Sequence, residues 1–249
     1  MSQSNKFETA KKIIISLSSK LLTFEDEFPE LVQFIEELEN INFSLTHQLV
    51  RTIKPTNEIL TSLNAIRLNS SNKKFGGLLH EDMTKFNWMK IYDGVDSKHS
   101  FINGMFASRL LGIDGYYASN RISAGLMLIL PGVIYPFHTH FVKEFYYCLS
   151  GEILIRHDID GEKLSLSEGK ISLTPEGKLH SLEVIGKKPV LLIYSWLGNL
   201  NAPIRIWDKM NTESWEGYVW IRLPGQRWKR GNSQRLSNDD FLKSFSKYS

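Results

Sequence analysis

Three histidines and one glutamate are spaced so that they could bind a metal ion. The stretch GVIYPFHTHFVKEFYYCLSG, residues 132–151, places His138, His140 and Glu144 within an otherwise apolar run. Residues i and i+2 of a β-strand point to the same face, so these side chains are expected to point together, and His180 could join them from a neighbouring strand. Three imidazoles and one carboxylate are ligands that Fe, Mn, Ni, Co and Zn all accept. The sequence therefore predicts one divalent transition metal ion and leaves its identity open.

Two tyrosines flank these four residues and could carry acid–base chemistry. Tyr146 is two positions after Glu144, so it faces the same way on a regular strand, and Tyr135 is three positions before His138. A phenol has an ordinary pKa near 10 that a nearby divalent metal can lower, and a phenolate is a competent general base. The alternative is that the tyrosines fill the core. For Tyr147, which alternation turns to the opposite face, core packing is the prediction.

The remaining histidines and the single cysteine are predicted to have surface or structural roles. The histidines outside the candidate site are His47, His80, His99 and His157. Cys148 is the one cysteine of the chain, so no intrachain disulfide can form, and we expect a small core residue there.

Residues 1–95 are predicted to form a helical N-terminal lobe. Apolar residues recur at three- and four-residue spacing near the start, which is typical of an amphipathic helix: Ala10, Ile13, Ile14, Leu17 and Leu21. The segments PELVQFIEELENI and PTNEILTSLNAIRLN predict two more helices, the first with a proline near its start. The segment SSNKKFGG, residues 70–77, is then expected to break the helical pattern.

Residues 96–225 are predicted to form a β-barrel, and residues 226–249 a C-terminal tail with a short helix. From about residue 100 the chain consists of short β-rich runs, each closed by Gly or Pro at intervals of roughly ten residues. Regularly spaced strands of this kind form sandwiches or barrels, including jelly rolls. The predicted fold class is mainly β, with a jelly-roll barrel preceded by an α-helical lobe.

Composition excludes several classes of function. Of the 249 residues, 42% are hydrophobic and 23% charged, which is typical of a soluble globular protein. The net charge of +3 argues against a nucleic-acid partner, and no apolar run is long enough to span a bilayer. The start of the sequence lacks a secretory signal, so the expected location is the cytoplasm. The oligomeric state is open between a homodimer and a monomer whose barrel is capped by the N-terminal helices.

The spacing of the candidate ligands resembles the two motifs of the cupin superfamily. The pattern G-x5-H-x-H-x3-E-x6-G runs from Gly132 to Gly151, and G-x5-P-x-G-x2-H runs from Gly169 to His180. The second motif departs from the family only at its last position, where Val184 stands for an asparagine. The resemblance covers roughly residues 120–200. It implies a double-stranded β-helix with a metal ion inside the barrel.

The stretch YPFHTHFVKEFYYCLSG further resembles the cupin-type dimethylsulfoniopropionate lyases, which release dimethyl sulfide and acrylate. The resemblance implies that Tyr146 is the catalytic base and Tyr135 a second active-site tyrosine, next to the metal ligands named above. A metal-bound substrate carboxylate would stabilise the charge that develops during elimination. Because a sulfonium favours aromatic faces, Tyr135, Phe137 and Trp196 are predicted to bind the substrate.

Two other classes of function fit the same motifs. One is a different metal-dependent cupin enzyme, such as a dioxygenase, which would need ferrous iron and oxygen, or an isomerase. The other is a non-catalytic cupin with a storage or sensor role. A complete ligand set is unnecessary for storage, and the N-terminal helices contain no convincing basic recognition helix for a sensor.

Overall fold

The structure is a computed structural model that describes residues 4–46, 55–68, 72–79, 82–94 and 99–245. The predictions for His47 and His80 lie outside these residues. The described helices are α1 (Ser4–Leu21), α2 (Val32–Glu39), α3 (Asn57–Ala65), α4 (Lys73–Leu79), α5 (Ser100–Gly104) and α6 (Asn238–Phe245). The described strands are β1 (Met89–Lys90), β2 (Met105–Gly112), β3 (Tyr117–Ala118), β4 (Ile122–Ile129), β5 (Ile134–His140), β6 (Val142–Ser150), β7 (Glu152–His157), β8 (Lys163–Ser167), β9 (Ile171–Thr174), β10 (His180–Glu183), β11 (Val190–Gly198), β12 (Ile204–Lys209), β13 (Ser214–Ile221) and β14 (Lys229–Ser237).

The strands of the described chain form two seven-stranded sheets, which confirms the predicted mainly-β class. The first sheet has the order β1-β2-β4-β11-β6-β9, with β3 beside β2. The second has the order β14-β13-β12-β5-β10-β7-β8. Side chains of both sheets meet in one buried cluster, which includes Met127 and Leu192 of the first sheet and Ile155 and Ile204 of the second. The space between the sheets is therefore the interior of the barrel.

The N-terminal helices cover the outer face of the first sheet. The predicted stripe of α1 is buried in the same cluster as Phe145 and Tyr147 of β6. Strand β6 is thus buried on both faces, because one face contacts the helices and the other contacts the barrel interior. This double burial explains why EFYYCLS is almost continuously apolar instead of alternating.

The expectation that SSNKKFGG breaks the helical pattern is wrong for residues 73–77, which belong to a further helix. Gly76 and Gly77 lie inside α4 (Lys73–Leu79). Phe75 and Leu79 of this helix are buried in the lobe core, and the Phe75 ring lies 5.9 Å from the ring of Tyr147. Packing against the sheet compensates the low helix propensity of glycine.

The sheets extend beyond the range predicted for the barrel. Strand β1 belongs to the first sheet, although it lies in the segment predicted as helical lobe. Strand β14 pairs with β13, although it lies in the segment predicted as a tail. The predicted short C-terminal helix begins at Asn238, and its Phe241 stacks on Trp215 with a centroid distance of 4.2 Å. None of the helices in the described part of the chain has the length and apolar character needed to cross a membrane.

Replacing Gly217 by alanine is expected to destabilise the second sheet. Gly217 of β13 pairs with Trp207 of β12, and a Cβ atom there would lie 2.6 Å from the indole ring. Overpacking of this kind costs about 1–3 kcal/mol of the free energy of unfolding. Gly77→Ala is the matched control, because its Cβ would meet no atom within 4 Å and alanine favours a helix by about 0.5–1 kcal/mol. Urea unfolding should rank Gly217→Ala below the wild type, and equal stability of the two variants would contradict this packing.

Candidate metal centre and cavity

The structure brings the four predicted metal ligands together inside the barrel. Each residue contributes one nitrogen or oxygen atom, and these atoms lie within 4.8 Å of one another: His138, His140, Glu144 and His180. All four side chains are buried, with at most 2% of each residue exposed. They come from β5, β6 and β10, and His180 is the register partner of His138.

The orientation of the imidazoles suits a bound cation. Nδ1 of His138 is 2.9 Å from the Pro136 carbonyl oxygen, and Nδ1 of His180 is 2.9 Å from the Lys178 carbonyl oxygen. His140 makes the same kind of contact with Val142, at 3.1 Å. A neutral imidazole that donates through Nδ1 has only a lone pair on Nε2, which is the usual arrangement of metal-binding histidines.

The Nε2 atoms of two of these histidines face a carboxylate oxygen of Glu144. Nε2 of His140 and Nε2 of His180 lie 2.9 and 3.2 Å from the same Oε2 of Glu144. In that tautomer both contacts pair two hydrogen-bond acceptors, and a cation between them would turn the repulsion into attraction. The donor set and its tautomers therefore fit a divalent transition metal ion, whose identity stays open.

The charges within the cluster also favour metal-binding protonation states. Burial alone would raise the pKa of Glu144, but His140 and His180 outweigh it and hold that pKa far below its usual range. Burial, followed by the neighbouring imidazoles, lowers the pKa of His138 well below 6.5. Burial likewise lowers the pKa of His180. A deprotonated carboxylate and neutral imidazoles are the forms that bind metal ions.

A small cavity adjoins the cluster, and three other predicted residues line it. Tyr135, Tyr146 and Trp196 form part of its wall together with Glu144. It offers about 60 Å³ for the centres of water molecules, which is room for about five waters or one small molecule. Its lining is largely aromatic and aliphatic, as in many small-molecule sites.

Hydrogen bonds and stacking connect the cavity wall to the cluster. Nε1 of Trp196 donates to Oε1 of Glu144 at 2.5 Å, and the ring of Tyr135 stacks on that of His138 with a centroid distance of 3.8 Å. Burial, the charge of Glu144 and a hydrogen bond to it raise the pKa of Tyr146. Burial likewise raises the pKa of Tyr135, whose hydroxyl contacts that of Tyr92.

Phe137, predicted to bind the substrate, does not line the cavity, and the structure places it elsewhere. Alternation along β5 turns it to the outer face of the second sheet, opposite His138. There it packs beside Trp215, at a ring-centroid distance of 6.3 Å, and under the guanidinium of Arg156. The prediction failed because it relied on nearness to the motif, and a register shift of β5 against β10 between Tyr135 and His138 lets Tyr135 reach the interior while Phe137 stays on the outer face.

Two of the histidines predicted to be structural are described, and neither belongs to the ligand set, although His157 is the register partner of His180 with 6.2 Å between the ring centroids. Nε2 of His99 is 2.8 Å from a carboxylate oxygen of Asp208. Nε2 of His157 is 3.0 Å from the hydroxyl of Thr174, and burial lowers the pKa of His157 to about 4. Cys148 is a free, buried residue, as expected. Tyr147 faces the helical lobe, opposite Tyr146.

Several cavity residues escaped the sequence analysis. They are Tyr92, Arg109, Tyr194, Arg222 and Trp228. Tyr194 is two positions before Trp196 on β11, so alternation could have identified it. The others are distant in sequence from the motifs, and no local pattern connects them to the site.

The chain is similar in sequence to members of a lyase family. A family profile described as dimethylsulfoniopropionate lyase matches residues 28–192. Dimethylsulfoniopropionate lyase DddQ of Ruegeria pomeroyi is 27% identical over 118 residues, which are 47% of this chain and 58% of that protein. A gentisate 1,2-dioxygenase of a Ralstonia species is 34% identical over 93 residues, which are 37% of this chain and 25% of that protein. The matched segments thus span somewhat more than half of the DddQ protein and a quarter of the gentisate 1,2-dioxygenase.

Two solved structures share the architecture. A structure of the lyases RdDddP and RnDddQII superposes with a TM-score of 0.58 at 17% identity, covering 80% of this chain and 98% of that one. The crystal structure of DddQ from Ruegeria pomeroyi superposes with a TM-score of 0.56 at 20% identity, covering 78% and 94%. At these identities the likeness is one of fold, and the fold is the predicted cupin double-stranded β-helix.

Acid is expected to destabilise the protein through the buried cluster. The folded pKa values of His138 and His180 lie below the unfolded value of about 6.5, so the unfolded chain binds more protons below that pH. Their contribution to stability is complete above about pH 6.5 and is lost as the pH falls. Glu144, whose pKa is also lowered, acts in the same direction below about pH 4.5.

Urea unfolding between about pH 8 and pH 5 measures this loss. The variant His180→Asn should show a shallower loss than the wild type. A stability that rises on acidification would contradict the assignment.

Proposed function

Because the chain belongs to the dimethylsulfoniopropionate lyase family, we propose that it is a metal-dependent carbon–sulfur lyase that cleaves dimethylsulfoniopropionate into dimethyl sulfide and acrylate. The observation that carries this proposal is the cavity that Tyr146 shares with Glu144, the member of the buried His/Glu cluster that lines it. A cavity of this size suits a substrate of eight non-hydrogen atoms.

The reaction is a β-elimination that begins at Tyr146. The phenolate oxygen of Tyr146 takes the proton from the carbon next to the carboxylate, and the C–H electron pair becomes the new C=C bond. The bond between the β-carbon and sulfur breaks, and its electron pair leaves with sulfur. The sulfonium thereby becomes neutral dimethyl sulfide, and the remaining carbon chain is acrylate. Atoms and charges balance without an oxidant or an organic cofactor.

The four predicted ligands would hold the metal ion beside this base. They are His138, His140, Glu144 and His180. A bound divalent ion would supply the positive charge that draws a phenol toward its phenolate and withdraws electrons from the substrate. Tyr146 depends on such a charge, because burial and the Glu144 carboxylate raise its pKa.

The aromatic wall would hold the sulfonium group and exclude water. Tyr135 and Trp196 present rings to the cavity, and Trp228, which lies 5.9 Å from Trp196 between ring centroids, joins them. A cation over such rings gains about 0.5–2 kcal/mol. We assign Tyr135 as the second active-site tyrosine, and the contact of its hydroxyl with that of Tyr92 fixes its orientation.

A second candidate function is a metal-dependent dioxygenase. It is favoured by the match to gentisate 1,2-dioxygenase over 93 residues. Turnover by a dioxygenase requires oxygen, whereas the proposed elimination consumes none. Equal rates of dimethyl sulfide release with and without oxygen would exclude this candidate for that reaction.

The variant Tyr146→Phe is expected to lose dimethyl sulfide release by about 10²-fold or more, because general-base catalysis contributes about 10²–10⁴-fold. Headspace gas chromatography of metal-loaded protein with dimethylsulfoniopropionate measures the rate. Tyr147→Phe is the matched control, since Tyr147 is the next residue but donates to Asn72 in the helical lobe. It should lose some stability and keep its rate. Similar rates for both variants would rule out Tyr146 as the base.

Removal of the metal ion is expected to abolish release. The chelated protein should regain activity with at least one of iron, manganese, nickel, cobalt or zinc, and its metal content should approach one ion per chain. The variant His138→Ala should bind less metal, whereas His99→Ala should retain it. Full activity of a protein shown to be metal-free would contradict the proposed role of the cluster.

A further inference from the structure

A buried ion-pair network joins the two sheets on the β2 side of the cavity. It consists of Arg109 of β2, Asp114 in the turn after β2, and Arg222 just after β13. Oδ2 of Asp114 accepts hydrogen bonds from Arg109 at 2.8 Å and from Arg222 at 2.5 Å. The three side chains are only 7%, 2% and 11% exposed. Strands β4 and β11 separate this network from β6, which carries Glu144.

The network holds a short surface segment, residues 222–228 with the sequence RLPGQRW, which we call the strap. The backbone N–H of Gly225 donates to the same Oδ2 of Asp114 at 3.1 Å. Gly225 has a φ of +74°, and the N–H of Gln226 donates to the Leu223 carbonyl at 3.0 Å, so the strap makes a type II turn. The turn itself is exposed, and Asp114 therefore supplies its connection to the first sheet.

The strap ends at Trp228, whose ring is part of the cavity wall. The N–H of Trp228 donates to the Ile91 carbonyl at 2.9 Å, and its carbonyl accepts from the Asp93 N–H at 2.8 Å. These bonds fix the backbone of Trp228 but do not set the direction of its side chain. The indole ring lies 5.9 Å from that of Trp196 between centroids, and Nε1 of Trp196 donates to Glu144.

Arg222 connects the ion-pair network to this ring. Its guanidinium lies 5.3 Å from the centre of a Trp228 ring, and a planar guanidinium stacks well on an aromatic face. Burial, followed by the positive charge of Arg109, lowers the pKa of Arg222, so the charged form depends on Asp114. Asp114 thus fixes the guanidinium, and the guanidinium restricts the orientations open to the ring.

We propose that Arg222 is a positioning residue that holds the ring of Trp228 in the cavity wall, with Asp114 as its anchor. This inference rests on the proposed function, in which the rings of Trp196 and Trp228 hold the sulfonium. The sulfonium loses its charge as the carbon–sulfur bond breaks, so the rings attract the bound substrate more than the transition state. Displacing Trp228 therefore raises KM and leaves kcat nearly unchanged. A network that only stabilised the fold would change neither.

The variant Arg222→Gln tests this role, because it leaves Arg109 and Asp114 as one ion pair and removes the guanidinium from the ring. Its KM for dimethylsulfoniopropionate should rise about threefold or more, with kcat within about twofold of the wild type. Arg205→Gln is the matched control. Arg205 lies over the ring of Trp207 at 5.6 Å, but that ring packs against Phe241 of α6, outside the barrel. Its KM should equal that of the wild type.

A double-variant cycle shows whether Arg222 acts through Trp228. Arg222→Gln should add no further increase of KM to the variant Trp228→Leu, whereas increases that multiply would overturn the proposal. Arg222→Lys keeps the charge and loses the planar group, so its KM should lie between those of the wild type and Arg222→Gln. Thermal unfolding identifies which variants fold, and a wild-type KM in either folded Arg222 variant would overturn the proposal.

Fluorine NMR of the metal-loaded protein labelled with 5-fluorotryptophan observes the ring without any substrate. The chain has six tryptophans, and the signal lost in Trp228→Leu identifies Trp228. This signal should broaden or divide in Arg222→Gln and in Asp114→Asn, as the ring takes more than one orientation. In Arg205→Gln it should keep its wild-type width. A single sharp Trp228 signal in folded Arg222→Gln, even a shifted one, would overturn the proposal.

The two measurements separate this inference from the lyase function. A Trp228 signal that broadens in Arg222→Gln, in a protein that releases no dimethyl sulfide, would uphold the positioning of the ring and reject the substrate. Release of dimethyl sulfide with an unchanged KM in Arg222→Gln would uphold the lyase and reject the positioning role.

Discussion

The buried contact between Glu144 and the imidazoles of His140 and His180 is the constraint on which the rest of the site depends. A carboxylate that is 2% exposed is costly unless positive charge or hydrogen bonds surround it. The indole N–H of Trp196 donates one hydrogen bond, and a cation held between the carboxylate and the Nε2 atoms of His140 and His180 would supply the positive charge. Because these partners come from β5, β10 and β11, the carboxylate requires both sheets to close around it. The candidate metal site can therefore form only when the two sheets of the barrel pack together.

Strand β6 connects this interior to the helical lobe. Glu144 and Tyr146 point into the cavity, while Phe145 and Tyr147 pack against the helices on the other face. The lobe thus fixes the position of the strand that carries both a candidate ligand and the candidate base. The position of the candidate base matters because small displacements of reacting groups lower the reaction rate strongly.

The C-terminal segment completes the cavity. Arg222 and Trp228 lie beyond the last strand of the motif region, yet both line the cavity beside residues of β2 and β11. Two backbone hydrogen bonds hold Trp228. Its N–H donates to the Ile91 carbonyl at 2.9 Å, and its carbonyl accepts from the Asp93 N–H at 2.8 Å. One end of the cavity thereby acquires positive charge and the other the His/Glu cluster.

The sequence alone predicted the candidate ligand set, the class of fold and the facing of Tyr146, through strand periodicity, regularly spaced turn residues and the resemblance of two motifs to those of cupins. A strand period of two places His138 and His140 together, and a helical period identifies the buried stripe of α1. A local signal gave a wrong prediction where packing opposed it. The glycines of SSNKKFGG favour a break in the helical pattern, but α4 forms across Gly76 and Gly77 because Phe75 is buried. The meeting of Arg109 and Arg222 at Asp114 was decided only by the tertiary structure. Arg109 and Arg222 are separated by more than a hundred residues and share no motif, and only the pairing of distant strands brings both to one carboxylate.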